Sequence, residues 1–338
     1  MERALALAPD DHRIAIEHAE TLWAGGDRDG AIASWERAIA LQPNLPEVRK
    51  RLEFLRTGGA RFEDDVRRDV AEIVKDGLSR PLGESDHAAH VLLDLEAVRV
   101  LRDGTARELV QQVILVLNDQ GVRAYDQIGA SYSSGEQVVE FRRARVHRRD
   151  GTTADAPVRR FGDSGGGDGW RSARIDLPPL SPGDVIEIEY VREEIEQSFF
   201  GDYFGRVVTF QGTVPIDEKV FILRAPADKQ LHFHEQRLDL EPEKSVDDDS
   251  GAVTWRWSRR DIEALEPEPA MPGFRETVPL LEISTFASWD AFSSWYHHLI
   301  RKQFESSPEI RDKVRELVSG ISDDLEKIRA IYHFVVTE

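Results

Sequence analysis

The sequence predicts a multidomain α+β protein, with N-terminal α-helical repeats, a central antiparallel β-sandwich and C-terminal helices. Three observations lead to this fold class. Residues 1–80 place apolar side chains at helical spacing and contain a repeated segment. Residues 88–268 consist of short β-rich runs separated by turn residues, and residues 284–338 return to helical spacing. We therefore predict three domains with these boundaries.

The N-terminal repeat is visible in two short segments of similar sequence. ERALALAP begins at Glu2 and ERAIALQP begins at Glu36, which is an offset of 34 residues. A period of about 34 residues is typical of tetratricopeptide (TPR) helix pairs. We therefore expect TPR-like helices over residues 1–80, among them one helix over residues 61–78, and a protein partner that is bound through the TPR helices.

The central region contains repeated signals for β-hairpins. Asp-Gly pairs at residues 103–104 and 150–151 each separate two β-rich runs, and this pair is a frequent hairpin turn. Further along, the stretch VIEIEYV from Val185 alternates apolar residues with glutamate, so one strand face is apolar and the other is charged. Because about 170 residues contain such short strands and no long helical pattern, we predict a single β-sandwich.

The composition disfavours two classes of partner. The net charge is −19, and an acidic surface repels phosphate backbones, so no nucleic-acid partner is predicted. The most basic stretch, FRRARVHRRD at residues 141–150, alternates as a strand does, and its arginines are predicted to form a solvated sheet face. No run approaches the roughly 20 apolar residues that span a bilayer, so no transmembrane segment is predicted.

The residue types give little support for metal or cysteine chemistry. The chain contains no cysteine, which excludes disulfides, thiolate catalysis and cysteine-bound metals within these 338 residues. His232 and His234 lie on one face of a predicted strand, a spacing that can bind zinc, but no third ligand can be named. The glycine-rich segment at residues 162–170 lacks the Lys-Ser/Thr pair of a phosphate loop. We predict no catalytic residue, metal ion or cofactor, and this histidine pair is the metal candidate.

One aromatic segment has two open interpretations. SFFGDYFGR, from Ser198, contains four aromatic residues and two glycines and does not alternate as a strand does. The aromatic residues are Phe199, Phe200, Tyr203 and Phe204. Aromatic clusters of this kind favour interfaces, which makes these four residues the candidate interface. Ordinary packing in the core accounts for them equally well.

The order of several longer motifs resembles a bacterial family. These motifs are HRRDGTTADAPV, LPPLSPGDVIEIEYV, FGDYFGRVVTFQGTVPIDEKVFILRAP, VTWRWSRRDIEALEPEPAMP and LLEISTFASWDAFSSWYHHL. From about His90 onward they are similar to domain of unknown function 3857, a β domain that precedes a transglutaminase-like domain in exported bacterial proteins. The closing ISDDLEKIRAIYHFVV resembles the helix that leads into the transglutaminase fold.

The resemblance implies a function and a location. In that family the catalytic cysteine follows in a Gly-Asp-Cys segment, with histidine and aspartate later, so no residue of this chain takes those roles. Residues 284–338 would be the first helices of a truncated transglutaminase-like fold. The chain would then be a non-catalytic N-terminal region in the periplasm or cell envelope. Its TPR helices and β-sandwich would bind or position a protein or cell-envelope partner for a cysteine-dependent acyl-transfer or peptidase domain beyond residue 338.

Two alternative functions stay open at this point. The first is a self-contained hydrolase that uses carboxylates or the pair His232 and His234. The second is a scaffold that acts only through its TPR helices.

Overall fold

The computed structural model describes residues 8–42, 44–57, 61–83, 85–162, 169–248 and 250–337. The chain divides into two compact units, Met1–Thr285 and Phe286–Glu338. Helices together with a large β-sheet core confirm the α+β class.

Three helices open the described part of the first unit. They are α1 (His12–Ala24), α2 (Arg28–Leu41) and α3 (Pro46–Thr57). Asp11 and Asp27 cap the first two, because each carboxylate accepts a free backbone N–H group, at 2.9 and 3.0 Å. Between the helices lies a small core of buried residues, which are Ala19, Ala31, Trp35 and Leu52.

Residues 61–78, predicted as one helix, form two. Helix α4 (Phe62–Val66) and helix α5 (Ala71–Ser79) are separated by a short non-helical segment. Within it, the backbone N–H of Arg68 donates to Gln111 Oε1 at 3.0 Å, and Arg68 O accepts from Gln111 Nε2 at 2.8 Å. The prediction of a single helix is wrong because these bonds to a strand of the sheet replace the helical bonds of Arg68.

Strands β1 to β14 of the described residues follow, with two short helices among them. The strands are β1 (Ala89–Val100), β2 (Ala106–Val116), β3 (Gln127–Ser133), β4 (Gln137–His147), β5 (Thr153–Asp155), β6 (Arg160–Phe161), β7 (Trp170–Asp176), β8 (Val185–Glu194), β9 (Gly205–Thr209), β10 (Ile216–Ala225), β11 (His232–Gln236), β12 (Glu243–Val246), β13 (Val253–Ile262) and β14 (Leu280–Ser284). The helices are α6 (Asp119–Ala124) and α7 (Phe274–Thr277).

The large sheet has the order β12-β13-β10-β1-β2-β8-β4-β5, with β6 added beside β4. Strands β1 and β10 pair in parallel, whereas the other neighbours in this sheet pair antiparallel. The prediction of purely antiparallel pairing is wrong for this pair at the centre of the sheet. The two strands run parallel because a long connection that contains several other strands, rather than a hairpin turn, separates β1 from β10 in the chain.

Two small sheets and two helices cover the large sheet. The pair β3-β7 covers one part of a face, over an apolar cluster around Phe141. The sheet β11-β14-β9 covers another part of the same face, over a cluster around Phe221. Helices α4 and α5 cover the opposite face over Leu95 and its neighbours. The centre of the first unit is therefore three layers thick.

Polar contacts join the N-terminal helices to the β-sheet. Arg49 of α3 forms an ion pair with Asp103 at the β1–β2 turn, at 2.7 Å, and both side chains are mostly buried. Asn44 Oδ1 accepts the backbone N–H of Gln197, in the loop between β8 and β9, at 2.7 Å. These contacts account for helices and sheet forming one compact unit.

The second unit consists of helices in its described residues. They are α8 (Trp289–Ile300), a 3-10 turn (Arg301–Phe304), α9 (Pro308–Leu317) and α10 (Asp324–Thr337). The hydroxyl groups of Ser288 and Ser307 cap α8 and α9 by accepting backbone N–H groups at 3.2 and 3.3 Å. None of the three α-helices contains a buried residue.

Two glycines provide a matched test of the β1–β2 turn. Gly104 and Gly151 have φ of +87° and +85°. A Cβ on Gly104 would lie 2.6 Å from the carbonyl carbon of Asp202, whereas a Cβ on Gly151 would meet nothing within 4 Å. We expect Gly151→Ala to cost about 1–2 kcal/mol, for the left-handed backbone alone. Gly104→Ala should cost about 1–3 kcal/mol more, because the backbone near Asp202 must shift.

Urea unfolding of the two variants, followed by circular dichroism, measures this difference. Equal losses of stability would contradict the close approach of the turn to the aromatic segment.

Candidate functional site

The loop between β8 and β9 contains the aromatic segment. The ring centroids of Phe199 and Phe200 are 5.7 Å apart, and those of Phe200 and Tyr203 are 5.8 Å apart, both in edge-to-face contact. Phe199 is 75% exposed, Phe200 is also exposed, and Tyr203 is half-buried. Three of the four predicted interface residues therefore form one partly exposed aromatic cluster.

Phe204 lies apart from this cluster. Its side chain is 5% exposed and packs in the apolar cluster around Phe221. Its backbone N–H donates to Thr285 Oγ1 at 3.2 Å, and its carbonyl accepts the N–H of Thr285 at 3.0 Å. Of the two interpretations of the segment, core packing therefore applies to Phe204. An interface role for the other three residues stays a prediction.

The backbone of the aromatic loop is held by contacts from three directions. Lys229 Nζ donates to the carbonyl oxygen of Asp202 at 2.7 Å. Gln197 Nε2 donates to the carbonyl oxygen of Asp103 at 2.9 Å, and its backbone N–H donates to Asn44. Because the loop is already ordered, its exposed rings would lose little conformational freedom when they bind a partner.

The histidine pair lies on the edge strand β11. His232 and His234 are exposed and pair with Ser284 and Glu282 of β14. Phe233 between them points the other way and packs against Trp255 and Trp257. In the part of the chain that the structure describes, no group of three or more His, Asp or Glu side chains is arranged to hold a metal ion.

A buried network of charges lies on the large sheet between the two small sheets. Its members are Asp94, Glu96, Glu108, Arg192, Arg206 and Lys219. Lys219 Nζ lies 2.6 Å from Asp94 Oδ2, and these side chains are 9% and 14% exposed. Arg206 of β9 binds both Glu96 and Glu108, and Arg192 also binds Glu108. Three cations thus balance three anions.

The network keeps its buried groups charged. Burial alone would raise the pKa of Asp94, but the Lys219 ammonium and a hydrogen bond from Gln112 Nε2 together outweigh burial and hold this pKa below its ordinary value. Burial alone would lower the pKa of Lys219, but Asp94 and Glu96 hold it above its ordinary value. The pKa of Arg206 is raised in the same way, since Glu96 and Glu108 outweigh burial. No local sequence pattern indicates this network, because its members come from five separate strands.

The basic stretch at residues 141–150 is not the solvated face that was predicted. Arg143 lies 2.7 Å from Glu187, and His147 Nε2 lies 2.9 Å from the same carboxylate, which is almost fully buried. Arg142 contacts the buried Glu63 at 3.2 Å. The prediction is wrong because acidic residues of α4 and β8 supply partners for these cations.

The glycine-rich segment and the possibility of a membrane span were also considered in the sequence. Of the glycine-rich segment at 162–170, residues 163–168 lie outside the described residues. In the described residues, no helix combines the length and the apolar content that are needed to cross a bilayer.

A family model matches the centre of the chain. Residues 102–266 match DUF3857, a domain of unknown function with a solved structure. The matched range runs from the β1–β2 turn to the segment after β13. The match agrees with the resemblance of the central β domain to domain of unknown function 3857. No curated protein matches the chain in sequence.

Solved structures show a likeness in fold. A protein of Parabacteroides distasonis ATCC 8503, described as a putative protease, is similar with a TM-score of 0.57 and 17% identity. The match covers 74% of this chain and 50% of that one, so the chain spans about half the length of this structure. At this identity the likeness concerns the fold alone.

An M1 zinc metallopeptidase of Deinococcus radiodurans matches with a TM-score of 0.33 and 11% identity, over 62% of this chain and 45% of that one. A mutant of the enzyme from the same organism matches with a TM-score of 0.32 and 10% identity, over 58% and 42%. Both TM-scores are too low to support an argument about fold or function.

Replacing Lys219 should reverse the pH dependence of the contribution that Asp94 makes to stability. In Lys219→Met, Asp94 is buried without its partner, and we expect a loss of about 3–5 kcal/mol at neutral pH. In the parent protein, the pKa of Asp94 is lowered by folding, so its contribution is present above about pH 4 and is lost as pH falls. In the variant, burial raises this pKa, so the penalty shrinks as pH falls.

Urea unfolding at pH 7 and at pH 4 measures both effects. The control is Lys75→Met, because Lys75 and Glu72 form an exposed pair at 3.3 Å whose removal should cost less than about 0.5 kcal/mol. Equal losses in the two variants would mean that Lys219 contributes no more than a surface charge.

The aromatic segment offers a second matched pair. We expect Phe204→Ala to cost about 3–5 kcal/mol, because it leaves a cavity in the core. Phe199→Ala should stay within about 0.5 kcal/mol of the parent protein, because its ring is solvated. Thermal and urea unfolding of both variants test this, and a large loss for Phe199→Ala would show that the exposed ring supports the fold.

Proposed function

We propose that this chain is a non-catalytic region of a transglutaminase-like protein. Its helices and β domain bind or position a protein or cell-envelope partner, and a cysteine-dependent acyl-transfer or peptidase domain beyond residue 338 carries out the reaction. The absence of cysteine from the sequence supports a non-catalytic role, because a thiolate nucleophile cannot come from these residues.

One observation supports this proposal more than any other. Helix α10 places Ile328, Tyr332 and Val335 on one stripe, and all three side chains are more than half exposed. Burying such side chains stabilises a protein by roughly 1.5 to 3 kcal/mol each, so a stripe of this kind normally has a covering partner. We propose that the stripe packs in a transglutaminase-like domain of which α8, α9 and α10 are the first helices.

The N-terminal helices and the aromatic loop would serve as contact surfaces. In this proposal α1, α2 and α3 are TPR-like and hold a protein partner. The ion pair of Arg49 with Asp103 fixes these helices to the β domain. The loop with Phe199 lies beside them, because Asn44 binds its first residues through Gln197. A partner on the helices could therefore contact the exposed rings as well.

Hydrogen exchange tests the proposal for α10. In the purified 338-residue chain at low concentration, we expect amides 328–337 to exchange quickly, because no core protects the helix. Helix α5, which buries Val74 against the large sheet, is the internal control and should exchange slowly. Slow exchange through Val336 in a monomer would contradict the view that α10 awaits a covering domain.

Activity measurements test the other half of the proposal. Amine incorporation into casein and casein cleavage should both stay at background, since the nucleophile is absent. Turnover that is lost in His232→Ala or His234→Ala would instead support a self-contained hydrolase. Phe199→Ala, which keeps both histidines, is the control for that outcome.

A further inference from the structure

The outer face of the small sheet β3-β7 carries an exposed tryptophan and an exposed arginine, on a chain with a net charge of −19. The inner face is part of the core, since Ile128, Ala130 and Ile175 are buried over the large sheet. Among the described residues the outer face is exposed, and Trp170 on it is 76% exposed. We name the outer side chains of these two strands the β3-β7 platform.

The platform has a flat centre between two larger groups. Directly opposite pairs along the two strands are Trp170 with Ser133, Ser172 with Ser131, and Arg174 with Gly129. Trp170 and Arg174 stand four residues apart, which is about 13 Å along a strand. Only small side chains lie between them, because the central residues are serine and glycine. The platform therefore presents an indole ring and a guanidinium group on either side of a floor of hydroxyl groups.

A second arginine reinforces the positive end. Arg159 Nη2 donates to the carbonyl oxygen of Arg174 at 3.5 Å, and its guanidinium carbon lies 4.7 Å from the ring centroid of Phe161. Arg174 Nε donates to Ser172 Oγ at 3.3 Å. Among the ion pairs of the described residues, none includes either arginine.

One carboxylate lies at each end of the platform, Asp176 on β7 and Glu136 in the turn after β3. Asp176 accepts from Gln127 Nε2 at 2.7 Å beyond Arg174, and Glu136 accepts from Ser133 Oγ at 2.7 Å near Trp170. They limit the length of an anion that can lie between them. The charge pattern thus favours a short ligand with a negative group near Arg174 and Arg159.

The size of the platform decides against a protein partner. Two strands of seven residues present an area on the order of 200–250 Å². A stable protein interface buries about 800 Å² on each partner, so a protein would have to extend far beyond this face. A nucleic-acid strand carries a phosphate on every nucleotide, and Asp176 and Glu136 at the two ends of the platform repel phosphates that extend past it. A sugar chain of two or three rings fits the distance and carries fewer charges.

We propose that the β3-β7 platform binds a short anionic glycan. One sugar ring stacks on Trp170, because the negative π-face attracts the polarised C–H groups of the ring. Sugar hydroxyls bond to Ser131 and Ser172, and a carboxylate on a neighbouring sugar bonds to Arg174 and Arg159. This site is independent of the proposed role of α10 and of the aromatic loop.

Trigalacturonic acid is the probe that tests this proposal, with titration calorimetry and tryptophan fluorescence as readouts. We expect binding by the intact 338-residue chain, and about tenfold weaker binding in Trp170→Ala and in Arg174→Gln. The matched controls are Trp289→Ala and Arg102→Gln, which remove exposed residues of the same types elsewhere. Both controls should bind as the parent protein does.

Three outcomes would overturn the proposal. The first is no binding of trigalacturonic acid at millimolar concentration. The second is equal binding of maltotriose, which lacks the carboxylates, with no effect of Arg174→Gln. The third is tighter binding of a thymidine trinucleotide that depends on the same two residues, which would assign the platform to nucleic acid. Circular dichroism of each variant confirms that the fold is kept.

Discussion

Six charged side chains that are paired on one face of the large sheet fix the position of the small sheet β11-β14-β9 above it. A buried charge that loses its partner costs several kcal/mol, so Arg206 has to reach Glu96 and Glu108 whenever the protein is folded. This requirement fixes β9 over β1 and β2, and it fixes β14 as well, because β14 pairs with β9. The apolar cluster around Phe221 would accept several positions of this small sheet, since apolar contacts have no direction.

The same constraint reaches the surfaces that we propose for binding. The aromatic loop begins after Glu194, which accepts the backbone N–H of Ala106 at 2.8 Å, and it ends at β9, which Arg206 anchors. Arg192 extends the network to the other small sheet, because its guanidinium donates to the carbonyl oxygen of Ser131 at 2.8 Å. The exposed rings and the β3-β7 platform are therefore both attached to the charged centre of the large sheet. A surface held in this way binds a partner with a small loss of entropy.

Local patterns in the sequence predict the class of each region, because helical and strand periodicity arise from neighbouring residues. The parts that sequence does not predict depend on distant residues. Asp94 and Glu96 alternate with leucines, as on a solvated strand, and only partners 125 and 110 positions away show that they are covered. The break between α4 and α5 likewise depends on Gln111, which is 43 positions from Arg68. Phe199 and Phe204 have the same side chain, and the contact of Phe204 with Thr285 of a remote segment distinguishes them.

The parallel pairing of β1 with β10 also affects the order in which the strands of the large sheet can pair during folding. The antiparallel neighbours β1 and β2 pair across a short turn, and so do β12 and β13, whereas β10 pairs with β13 across the segment that contains β11 and β12. The two hairpins can form early, because closing a short loop costs little entropy. Joining β1 to β10 brings together residues 125 positions apart, as Asp94 and Lys219 show. Contacts between residues that are so far apart in sequence form slowly. Until β1 and β10 pair, the two halves of the large sheet therefore expose unpaired edges. During synthesis, β1 leaves the ribosome long before its partner, and its open edge is the part of this chain most exposed to wrong pairing.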